Sequence, residues 1–177
     1  MIRLAFREHP EREPSGKVSI LGNALCGAER MDGYASRRNP GAPRVARIYL
    51  ELGARRGVRG DVAFCQAMVD TKTWTEEPQG PPWRPYAQLI WGRAAEGWPE
   101  SELERRVERH LDWLAAIASR NKEQKMCWED LNGVWAVPGY RYGQDILAVW
   151  RNMMEWSGDV GAGKPGAASD ERKPVSE

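Results

Sequence analysis

Among the side chains able to do chemistry, Asp70 has the most telling position. It stands with Thr71 at the end of the stretch Gly57 to Thr71, GVRGDVAFCQAMVDT. Gly57 closes one helix, Gly60 permits a sharp turn, and Asp61 is placed to cap the next helix by accepting from its free backbone N–H groups. That helix runs through Val62. Val62, Cys65, Met68 and Val69 share one of its faces, with Phe64 beside them. Its C-terminal end is where the helix dipole disfavours an anion, so a carboxylate there either serves a purpose beyond the helix or simply opens a loop. Glu76 and Glu77 follow six and seven residues later, near enough to face Asp70 across a groove or to be an exposed acidic pair. His110 falls on an apolar helical stripe, the setting of a packed, hydrogen-bonded core residue more than of a base. Three cysteines, Cys26, Cys65 and Cys127, are odd in number and lack CxxC spacing, and the two histidines give no metal-site signature. We therefore expect no disulfide, no metal and no cofactor.

The elements that must position Asp70 can be read on either side of it. From Gly27 to Arg38 the spacing of Ala28, Met31, Tyr34 and Ala35 predicts a helix, stopped by Asn39-Pro40. A second helix enters at Pro43, carries the stripe Val45, Ala46, Ile48, Tyr49 and Leu52, and ends before Gly57. Arg55, Arg56 and Arg59 read as a solvated basic face. Residues 73–99 hold five Pro and four Trp and read as a long loop, a binding wall or a poorly ordered insert. Within it YAQLIW, Tyr86 to Trp91, is apolar enough for a short buried strand or a helical turn. Ser101, with Glu104 three residues on, predicts a capping box and a helix with Leu103, Val107, His110, Leu111, Leu114, Ile117 and Ala118 on one face. Residues 120–127 are a polar connection, and Trp128 to Tyr142 reads as a turn-built aromatic wall. Gly143 to Trp156 closes with a helix whose broad apolar face includes Ile146, Leu147, Val149, Trp150, Met153 and Met154.

Composition bounds the class. A chain of 177 residues with 41% hydrophobic residues can bury one proper core, so a single mainly α domain is expected over residues 20–157. Residues 1–19 read as a flexible arm and residues 158–177 as a disordered tail, since neither buries enough surface to offset ordering. A net charge of +1 gives no overall field for nucleic acid. The first residues carry charges and no apolar run, so neither a secretory signal nor a membrane span is expected. The protein is then cytoplasmic unless lysis or a partner exports it, and a monomer is expected. All nine Trp lie from Trp74 onward, where rings are core or line a groove on which sugar faces stack.

Three segments resemble the endo-β-N-acetylglucosaminidase domains of bacterial and phage peptidoglycan hydrolases. SILGNALCGAERMDGYASRRNPGAP is similar to the family's entry helix, ARIYLELGARRGVRGDVAFCQAMVDT to its signature turn and catalytic helix, and WEDLNGVWAVPGYRYGQDI to its closing motif. The blocks run in family order over about residues 19–147. The resemblance implies a lysozyme-like fold, with a short loop or small β lobe flanking a cleft, and hydrolysis of β-1,4 bonds in the glycan strand. It places Asp70 at the position of the family's general acid, a Glu, and Tyr142 at the Tyr of the closing YGQ motif, which supports the transition state. Asp is one methylene shorter than Glu, about 1.5 Å by C–C geometry. A misplacement of about 1 Å can cost on the order of 10²-fold in rate. Such hydrolysis commonly uses two carboxylates, and Glu76 or Glu77 is the candidate for the second. The family's groove motif corresponds to Arg84-Pro85-Tyr86-Ala87-Gln88, of which the aromatic and Ala persist. Trp74, Tyr86, Gln88, Trp135 and Tyr140 are the implied sugar-binding residues. A catalytically silent glycan-binding or scaffold module on the same fold is the alternative.

Overall fold

The computed structural model describes residues 17–78, 85–92, 97–120, 125–136 and 141–158. Its elements are α1 (Ala28–Arg38), α2 (Ala46–Arg56), α3 (Gly60–Thr71), α4 (Pro85–Trp91), α5 (Glu100–Ala118), a 3-10 turn (Trp128–Leu131) and α6 (Tyr142–Glu155). The fold is mainly α, and strand character among the described residues is limited to isolated bridges. None of the described helices is long and apolar enough to cross a membrane.

The architecture is built around α3. Every residue of this helix except Val69 is buried, because its sequence is apolar on nearly all faces and a helix of that kind must be enclosed. Helices α2 and α6 pack on it most extensively, α5 packs on α2, and the 3-10 turn packs on α6. Two glycines set these approaches. A Cβ at Gly60 would collide with the carbonyl of Tyr49, and one at Gly143 with the carbonyl of Trp128. Gly60 thus lets the start of α3 meet α2, and Gly143 lets the start of α6 sit on the 3-10 turn.

Several local expectations are corrected. Asp61 is not the cap of α3. It is the second helical residue, fully buried, with Arg59 at the cap position. Ser101 likewise lies inside α5, which begins at Glu100 after Pro99 with no side-chain cap bond. A capping box forms instead at the 3-10 turn, where Asp130 Oδ2 accepts from Cys127 N–H at 2.9 Å. Tyr86 to Trp91 is helical, and no strand flanks it among the described residues, so the small β lobe does not materialise there. The arm expected to reach residue 19 is already part of the fold by Val18. Val18 and Ile20 are buried, Ser19 bridges Cys127, and Leu21 bridges Val58, so the segment stitches the α2–α3 turn to residues 126–128. Residues 1–16 of the expected arm and nearly all of the expected tail lie outside the described residues.

Arg59 also departs from the solvated face assigned to it. It is buried, ion-paired to Asp61 at 3.3 Å, with its guanidinium over the Trp150 ring. Arg56 pairs with Glu108 and Asp112 of α5. Arg55 is exposed.

Candidate functional site

Asp70 is the last residue but one of α3, with its side chain turned into the protein and only 5% exposed. Side chains of Tyr142 and Trp135 converge on its carboxyl group. The Tyr142 hydroxyl, from the first residue of α6, donates to Oδ1 at 2.7 Å. The Trp135 indole N–H donates to Oδ2 at 3.3 Å. Tyr142 is held there by the start of its own helix. Asn132, just past the 3-10 turn, accepts from Gly143 N–H at 3.1 Å and donates to the Gln144 side chain at 3.2 Å. One Asn therefore engages two residues of the YGQ sequence and supplies an acceptor for an otherwise orphaned N–H of α6.

The hydrogen bonds continue behind Tyr142 through the core. Gln66, one helical turn before Asp70 on α3, donates from Nε2 to the Tyr142 oxygen at 3.1 Å. Its Oε1 faces His110 Nε2 of α5 at 2.8 Å, and His110 Nδ1 meets the Tyr49 hydroxyl of α2 at 2.7 Å. His110 is wholly buried, and burial pushes its pKa down to about 3, so the imidazole is neutral at ordinary pH. With Gln66 in this orientation only one tautomer satisfies every member. Nε2–H donates to Gln66, and Nδ1 accepts from Tyr49. Burial, and after it the Asp70 charge, raise the Tyr49 hydroxyl well above the ordinary phenol range.

The backbone immediately after Asp70 is strained. Lys72, Thr73 and Trp74 are three successive non-glycine residues at positive φ, 45°, 57° and 59°. Left-handed backbone costs roughly 1–2 kcal/mol per such residue. The turn persists because it is over-determined. Thr71 Oγ1 donates to Ala67 O at 2.7 Å and accepts from Trp74 N–H at 2.8 Å. Thr73 N–H bonds to Met68 O at 2.8 Å, and Asn39 Nδ2 bonds to Thr73 O at 2.9 Å. Strain concentrated beside a buried acid is characteristic of a site under functional constraint.

The structure thus brings Asp70, Tyr142 and Trp135 together. Trp135 is 0% exposed, so it offers no face to a sugar and its place as a stacking wall is corrected to that of a donor to Asp70. Trp74 packs between Phe64 and Trp91, at 5.5 and 5.7 Å, and is nearly buried, so it too belongs to the core. Tyr86 is half-buried against Trp113 and Trp135, and Gln88 is exposed on α4. Glu76 is exposed and paired with Lys72 at 2.6 Å, and Glu77 is exposed. Tyr140 lies outside the described residues. No group of three or more metal-ligating side chains occurs among the described residues.

Comparison with protein-family models, curated proteins and solved structures finds no match. The site is therefore read on its own chemistry. Sequence reasoning placed His110 in the core but missed its partners, Gln66 and Tyr49, and missed Asn132. Gln66 had left a signal. It is the one amide in the apolar run from Val62 to Val69, where a buried polar side chain needs partners of its own.

Proposed function

We propose that this protein is a peptidoglycan hydrolase of the endo-β-N-acetylglucosaminidase type on a lysozyme-like fold, with Asp70 as proton donor to the glycosidic oxygen. The observation that carries the reading is the 2.7 Å contact between Asp70 and Tyr142. These residues stand 72 apart in sequence, and they are the two to which the family resemblance assigns the chemistry. In this reading Asp70 protonates the leaving oxygen, and the Tyr142 hydroxyl stabilises the positive charge that develops on the sugar. Tyr86 and Gln88, the candidate binding residues with exposed surface, contact the glycan strand.

A specific observation favours a second reading, a catalytically silent glycan-binding module. Asp70 is only 5% exposed and both its oxygens accept hydrogen bonds, while Glu76 is held by Lys72. An acid one methylene short of a Glu, and already engaged, reaches a substrate poorly.

The deciding experiment measures release of reducing sugar ends from purified cell wall by the wild type, Asp70→Asn and Asp70→Glu, with a wall pulldown of all three. Release by the wild type, none by Asp70→Asn and faster release by Asp70→Glu support the hydrolase. If none of the three releases ends and all bind wall, the binding module replaces it.

A further inference from the structure

A cavity of about 650 Å³ lies between the first half of α1, the start of α2 and the end of α6. It is at the opposite end of α6 from Tyr142, about 20 Å away along a helix of 14 residues, so it is separate from the Asp70 site. Its volume is that of a small-molecule site. Gly33 and Trp156 form one wall. A Cβ at Gly33 would come within 3.0 Å of the Trp156 ring, so a glycine in the middle of α1 makes room for that ring at the expense of helix propensity. The Trp156 ring is half-buried and meets Tyr34 edge-on at 6.0 Å, and the Trp156 carbonyl accepts from Arg30. Trp156 is thereby held in place without being consumed by the core.

The remaining lining is charged, with Arg30, Arg44 and Arg47 beside Glu29 and Asp32. Arg44 is exposed and in no ion pair among the described residues. Arg47 has a 3.6 Å pair with Glu51, both largely exposed, and such a pair holds a guanidinium only weakly. Residues 27–59 carry eight Arg and three acids in a chain whose net charge is +1, so positive charge is concentrated on this helix pair. Guanidinium groups with unspent donors suit a phosphate or carboxylate, and a fixed indole suits the apolar face of a sugar. The two acids refine the choice. They repel a bare anion but accept from hydroxyl groups, and Asp32 already accepts from Ala46 N–H at 3.2 Å.

We propose that this cavity binds a single sugar carrying an oxyanion, a phosphate or a carboxylate, with Arg44 and Arg47 on the anion, Trp156 against the ring and Glu29 accepting from a hydroxyl. The site goes beyond the hydrolase reading and does not depend on it.

The experiment is calorimetric titration of the full chain at low salt with glucose 6-phosphate, glucuronate, glucose and inorganic phosphate, which separates the two anions, the ring and the charge. We expect one site per chain for at least one of the two anionic sugars, with glucose and inorganic phosphate weaker by about tenfold or more. Arg44→Ala with Arg47→Ala removes two exposed side chains and should weaken the anionic sugar by about tenfold or more, while Arg44→Lys with Arg47→Lys loses less. In ¹H–¹⁵N spectra the Trp156 indole resonance, assigned by its loss in Trp156→Phe, should move on binding. Failure of both anionic sugars to bind at about 10 mM overturns the proposal. So does equal binding of glucose or of inorganic phosphate, an affinity untouched by the alanine pair, or an unmoved Trp156 resonance. Release of reducing ends from cell wall by the alanine pair should equal that of the wild type, so the failure of this site and the failure of the Asp70 reading are told apart.

Discussion

Helix α3 carries a buried aspartate near each end, and the two are held in opposite ways. Asp61, in the first turn, accepts from the backbone N–H groups of Leu25 and Val62, both at 3.0 Å, from the Trp150 indole at 2.9 Å and from Arg59 at 3.3 Å. Asp70, in the last turn, also takes an indole N–H, from Trp135, and with it the hydroxyl of Tyr142. The helix dipole favours the anion at Asp61 and opposes it at Asp70. The difference separates an anchor from a reactive group. Asp61 is a fixed charge compensated on several sides, tying the 20s loop, α3 and α6 together. At Asp70 the Tyr142 hydroxyl is a partner able to donate or accept, while the Trp135 indole can only donate.

The same substitution at the two ends breaks or sharpens this comparison. Asp61→Asn leaves Arg59 buried without its anion and places an amide NH₂ among donors, and should destabilise the fold by about 3–5 kcal/mol in denaturant titration. A loss below about 1 kcal/mol would remove the contrast between the two aspartates.

The next effect lies at the Asp70 end and concerns acid. His110 has a native pKa of about 3 against about 6.5 unfolded, through burial. Between those values the unfolded chain binds the proton and the native one does not, so this contribution is complete above about pH 6.5 and is lost as pH falls toward 3. It amounts to on the order of 5 kcal/mol, and His110→Phe should flatten the slope of stability against pH in that window, whatever else it costs.

Gly143→Ala forces a methyl against the Trp128 carbonyl and should cost about 1–3 kcal/mol, with Tyr142 displaced from Asp70. Reading the Tyr142 environment by near-ultraviolet circular dichroism checks the displacement. Asp70→Asn keeps the side-chain shape and an acceptor for the Trp135 indole but sets an amide NH₂ against the donors around it, and should cost about 1–3 kcal/mol in denaturant titration. The smallest effect is expected at Lys72→Ala. Its pair with Glu76 is exposed, and such pairs contribute about 0–1 kcal/mol. A larger change in thermal unfolding would mean that the left-handed turn after Asp70 depends on the residue at its first position.

Much of the helical order was legible because apolar periodicity is a local property. The stripes of α1, α2, α5 and α6 are set by residues a few positions apart, and they fall where the sequence puts them. Helix caps were read less well. Asp61 and Ser101 have the right side chains at almost the right places, yet Asp61 is drawn to Leu25, Arg59 and Trp150, whose proximity no local pattern encodes. The prominence of Asp70 was visible as an acid at the wrong end of a helix. Its surroundings were not, since Tyr142 and Trp135 reach it across 72 and 65 residues. The aromatic residues show the same limit. Composition marks the second half of the chain as rich in Trp, but a tryptophan that lines a groove and one that fills a core have the same sequence signature.

By itself, then, the sequence determined most of the helices, the sharp turn at Gly60 and the acid at the end of α3, because each follows from spacing or from the geometry of one residue. Only the tertiary structure decided that Trp135 would be a donor in place of a wall, that Asp61 would be an anchor in place of a cap, and that Gln66, His110 and Tyr49 would line up behind Tyr142. A buried polar group must find its partner wherever packing places one, and packing joins residues that the chain keeps far apart.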